Sequence, residues 1–94
     1  MNSRLTRADE ALQSLMEDLA AIEHQRWATW QEYLHNHGVR QTDGSLMLPA
    51  DLVARWERQI ATPYPSLSEA EKESDRDQVR RYLPLVRKLL ERPI

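Results

Sequence analysis

The residues of this chain with the most chemistry to offer are Glu23, His24 and Trp27 in one stretch, and Tyr64, Lys72, Asp75 and Arg76 in another. They supply carboxylates, an imidazole, an ammonium, a guanidinium and two aromatic faces. Brought together, they would make a shallow pocket for a small anionic or nucleotide-like ligand. Phosphate would meet Lys72 and Arg76, and a base would stack on Trp27 or Tyr64. The same residues would equally serve as a structural polar network fixing how two helices pack, because polar groups in line with a core are satisfied by one another.

Other chemistries lack their residues. Glu32, His35 and His37 lie near one another, but no second carboxylate stands at ligand spacing and no His-Glu-x-x-His occurs, so no metal site is expected. Cysteine is absent, which removes thiolate catalysis, disulfides and sulfur ligands. With 2 glycines there is no phosphate-cradling loop, and no serine sits in a nucleophile elbow. The acidic run Glu69, Glu71, Glu73, Asp75 and Asp77 opens a helix, where the helix dipole favours acids without a catalytic pair. The basic run Arg80, Arg81, Arg87, Lys88 and Arg92 suits a helix C-terminus for the same reason, and an anion-binding face is its alternative. No catalytic constellation remains, so a non-enzyme without cofactor is expected.

Composition points the same way. The 94 residues suffice for a single domain, 1–94, with a modest core. Lys plus Arg is 13 against 15 Asp plus Glu, a net charge of −2, which argues against nucleic acid as a partner. The first twelve residues, MNSRLTRADEAL, hold no apolar signal core, and no apolar run reaches membrane-spanning length; a cytoplasmic protein is expected.

The elements that must position these residues are mainly α-helical. Leu5, Ala8, Leu12, Leu15, Leu19 and Ile22 recur at three and four, a heptad seam within a helix expected over 5–34. The pattern then slips onto Trp27, Trp30 and Leu34. Thr6 is its expected N-cap and Gly38 its stop. Such a helix is ~45 Å long, whereas a compact domain of this size has a radius of gyration of ~12 Å. Its N-terminal half, 1–18, is therefore expected to overhang as an extension, and its seam to take up a second copy of the chain in a homodimer or higher oligomer. The other solution is a break near Ala20–Ala21 that folds the first half back.

Asp43-Gly44 predicts a short β-hairpin or loop near 39–48. Two to three further helices follow. Pro49 opens one whose Leu52, Val53, Trp56 and Ile60 share a face, and Thr62-Pro63 ends it. Ser68 and Glu71 form a capping box for the next, which carries an apolar stripe of Val79, Leu83, Val86 and Leu90 expected to face the core. Pro84 falls inside that stripe and predicts a kink or restart. Traced backward in steps of three and four, the stripe reaches Asp75 or Arg76 and then Lys72. On the first helix the inward step between Leu19 and Trp27 lands on Glu23 or His24. Ionisable groups so placed are costly unless paired, which predicts that Glu23 or His24 meets Lys72, Asp75 or Arg76 beside Trp27 and Tyr64.

The stretches EHQRWATW and TPYPSLSEAEKESDR resemble motifs of the ryanodine receptor repeat (RyR) domain family and its small bacterial and phage relatives. Those domains carry His-x-x-Trp, then Pro-Tyr-x-x-Leu-x-x-x-Glu-Lys-x-x-Asp-Arg. The matching residues are His24 and Trp27, then Pro63, Tyr64, Leu67, Glu71, Lys72, Asp75 and Arg76. The likeness covers roughly residues 19–90, which makes that span the RyR-like core. It departs where the family carries Trp-x-Tyr-Gly; here a hairpin and the VARWERQ helix stand instead, so a different partner face is expected. The resemblance implies a small binding protein of phage origin, acting as a homo-oligomer on a host protein such as a defence component. Its alternative is a module for a nucleotide or cyclic-nucleotide messenger.

Overall fold

The computed structural model describes residues 6–91. It is mainly α, with four helices and one small hairpin. The first helix, α1, runs unbroken from Arg7 to His37. Thr6 caps it as expected: its hydroxyl oxygen accepts from the Asp9 amide, and the Asp9 carboxylate accepts from the Thr6 amide in return. No break occurs at Ala20–Ala21, and the helix extends three residues beyond the expected end. Leu5 of the seam lies outside the described residues.

Gly38 stops α1, and its amide donates to the Leu34 carbonyl. A Cβ there would sit 3.3 Å from the Leu46 side chain, so the hairpin presses directly on the helix end. In that hairpin β1 (Val39–Arg40) pairs antiparallel with β2 (Leu46–Met47). The loop is longer than the two-residue turn that Asp-Gly announces. The Gly44 amide closes on the Gln41 carbonyl, and Gly44 takes φ 90°, where a side chain would be strained.

Helix α2 (Ala50–Ala61) follows Pro49. A single 3-10 turn, Tyr64–Ser66, leads into α3 (Glu69–Arg80). Ser68 and Glu71 make the expected capping box, and the Glu71 carboxylate also accepts from Gln59 and Arg58 of α2. The cap thus doubles as the clasp between α2 and α3. Arg81 and Tyr82 interrupt the helix, and α4 (Leu83–Leu90) restarts with Pro84 in its first turn, where the missing amide costs nothing.

This restart overturns two expectations. The stripe Val79, Leu83, Val86 and Leu90 does not face a core; all four are exposed, Leu90 at 80%. The interruption re-phases the helix, so Leu85 and Leu89 turn inward, toward Ala11 and Leu15 of α1. The N-terminal half of α1 is therefore not a bare extension: α4 runs back along it, antiparallel, from Gln25 toward Ala11. Even so, the chain is open. Among the described residues Ala11 alone is buried, and the radius of gyration is 19.2 Å over extents of 58 × 35 × 26 Å.

The Glu71 clasp generates a prediction. Its hydrogen bonds hold the carboxyl at about 2, below the usual 4.5. A depressed acid contributes stability that is complete above pH ~4.5 and is lost as pH falls toward 2. Glu71→Gln is expected to lower stability at neutral pH and to shrink the loss between those values, read by circular dichroism in urea. Ser68→Ala is expected to cost about 1 kcal/mol.

Candidate functional site

Glu23 and Arg26 stand one turn apart on α1, and Arg26 donates from Nε and Nη2 to the two Glu23 oxygens at 2.9 Å each. The Tyr82 hydroxyl, brought in by the turn between α3 and α4, donates to the same carboxylate. These bonds, Arg26 first, hold Glu23 at about 2. The hydrogen bond to Glu23 in turn pushes the Tyr82 phenol up, because ionisation would lose the donated proton, and burial and the neighbouring carboxylate charge act in the same direction. Next to this cluster, Arg81 donates to the Gln25 side chain. This junction fixes the α3–α4 turn on α1, and its ion pair remains about half exposed, Arg26 at 51% and Glu23 at 48%.

A second group lies on α3. Arg76 donates to Glu69 and Glu73, and Lys72 pairs with Glu69 at 3.8 Å while lying 5.9 Å from the Tyr64 ring centre. Arg80 continues the ladder with Glu73 and Asp77. These carboxylates raise the Arg76 and Arg80 guanidiniums, and Glu73 is lowered in return. Asp75 lines an open groove of about 500 Å³ between α2 and α3 with Ile60, Leu67 and Ala70.

The expected meeting of the two stretches does not occur within one chain. No hydrogen bond or ion pair among the described residues joins Glu23 or His24 to Lys72, Asp75 or Arg76. His24 stacks on Trp27 at 6.0 Å, and Trp27 and Tyr64 are exposed at 59% and 46%. The reason is local supply. Arg76 finds acids one and two turns away on its own helix, and Glu23 finds Arg26, so neither needs the other helix. Of the seam, Leu15, Leu19 and Ile22 are half-buried, and Leu12 remains exposed.

Sequence reasoning missed Arg26, Tyr82 and Arg55. Arg26 was findable, since Glu23 lies three residues before it. Tyr82 and Arg55 carried no comparable signal, whereas Trp56 was placed on the apolar face of its helix. Trp56 of α2 packs edge-on against Trp30 at 5.3 Å, and Arg55 donates to the Tyr33 hydroxyl at 2.8 Å, which seats α2 on the C-terminal half of α1. Tyr33 in turn stacks on Trp30 and on His37. Among the described residues no three acidic or imidazole side chains converge as metal ligands, and no helix is long and apolar enough to cross a membrane. Comparison with protein-family models, curated proteins and solved structures gives no match.

Two outcomes are expected from this geometry. In an ultraviolet titration of the 3 tyrosines, one ionises later than the others, and Glu23→Gln removes the delay. Arg76→Ala leaves the urea midpoint where it was, because its partners Glu69 and Glu73 are solvated.

Proposed function

We propose that this chain is a non-enzymatic interaction protein that completes its fold by self-association and works by binding another protein. The observation that carries the reading is its surface. The chain presents 7999 Å², against about 5,700 Å² for a compact monomer of its mass. The excess, about 2,300 Å², surpasses the ~800 Å² per partner of a standard interface and falls in the range of obligate ones. The exposed residues include Leu12, Met16, Trp27, Leu83 and Leu90, the large apolar kind that a lone soluble chain covers.

The nucleotide reading has less support. Lys72 and Arg76, the cations it needs, are both held by Glu69, so phosphate would have to displace a carboxylate. For a binding protein, the groove beside Ile60, Leu67 and Asp75 and the Tyr64–Lys72 edge offer contact surface away from α1. Sedimentation equilibrium is expected to give a mass of two or more chains at micromolar concentration. A strict monomer of 11.1 kDa up to the solubility limit would overturn the reading.

A further inference from the structure

The α1–α4 pair is two-sided. On α1, Leu12, Met16, Leu19, Glu23, Trp27 and Trp30 recur at four and three, a stripe about 100° round from the face that meets α4. On α4, Leu83, Val86 and Leu90 lie about 110° round from the inward Leu85 and Leu89, in the same rotational sense. Because the helices are antiparallel, equal rotations in one sense emerge on one side of the pair. Both apolar stripes therefore form a single slab. The opposite side carries Ser14, Gln25, Arg81 and Lys88, all polar. Such a pair is half of a four-helix bundle.

Resting on the self-association proposed above, we infer that the slab is covered by the slab of one second copy, with the two α1 helices antiparallel about an axis level with His24 and Gln25. Charge sets the direction. The polar break in the slab is Glu23 and Arg26, each about half exposed. Placed antiparallel about that level, Glu23 faces Arg26 of the partner subunit, and Arg26 faces Glu23 of the partner subunit. A parallel pairing sets carboxylate against carboxylate and guanidinium against guanidinium, which is repulsive in a partly dry contact. Antiparallel pairing also sets Leu19 of each stripe level with Trp30 of the other, so a smaller side chain meets a larger one. The surplus surface is enough for a contact of this size.

The chain has no cysteine, so single labels can be introduced cleanly. Gln13→Cys, polar, exposed and off the slab, carries a nitroxide for distance measurement by double electron–electron resonance. The antiparallel pairing predicts a distance of roughly 35–40 Å, and a parallel one under about 20 Å. Met16→Glu, at a side chain 61% exposed in the single chain, is expected to convert the dimer to monomer, while Lys88→Gln on the opposite side leaves two chains. A dimer with the short distance, a trimer or larger assembly, or a Met16→Glu protein that stays dimeric overturns this pairing and leaves self-association standing. A monomeric parent chain overturns both. Should Met16→Glu fail to fold, the label distance in the otherwise unaltered chain still decides.

Discussion

A helix of 31 residues in a chain of 94 is the constraint from which the rest of this structure follows. It is about 46 Å long, several times the ~12 Å radius of gyration that a compact chain of this length would have. What remains of the sequence divides the helix between two short elements. The aromatic contacts of Trp56 and Arg55 seat α2 on its C-terminal half, and Leu85 and Leu89 seat α4 on its N-terminal half. Helix α3 bridges them. Each contact covers one side of α1 over a few turns, and the apolar residues on the next side are left in water. Hydrophobic burial is the main favourable term in folding, and a chain with one buried side chain among its described residues has little of it on its own.

The polar groups fit this economy of local supply. Glu23, Glu71 and Arg76 each find a partner within a turn or two of their own helix, and Glu71 adds Arg58 and Gln59 of the helix before it. They hold turns and helix starts in place without a central ionic core. The Glu23–Arg26–Tyr82 junction differs in reaching across the fold: it pins the re-phased α4 onto α1 and leaves half of each charge uncovered. It is both the joint that creates the apolar slab and the charged mark at its middle.

The parts of the fold legible in the sequence are those set by neighbours along the chain. Thr6, Gly38, Ser68 with Glu71, and Pro84 bound their helices where the residue types require, because caps and proline act over three or four positions. The direction of the Val79–Leu90 stripe was not legible. Periodicity assumes an unbroken helix, and two residues out of phase at Arg81–Tyr82 rotated the inward face onto Leu85 and Leu89. The site was harder still. Glu23 or His24 was expected in line with the seam, but the distant partner that Glu23 has, Tyr82, lies 59 positions away, and nothing in one sequence ties the two together. Reasoning that paired acid with base between helices overlooked the cheaper pairs available within each helix.

The central claim is that folding and association are one process in this protein. Its most direct test is the urea midpoint, followed by circular dichroism at protein concentrations of about 1 and about 100 µM. Coupled folding and association predicts a midpoint that climbs with concentration. A midpoint identical at both, with a cooperative transition, would mean that the lone chain is stable as it stands and needs no copy of itself.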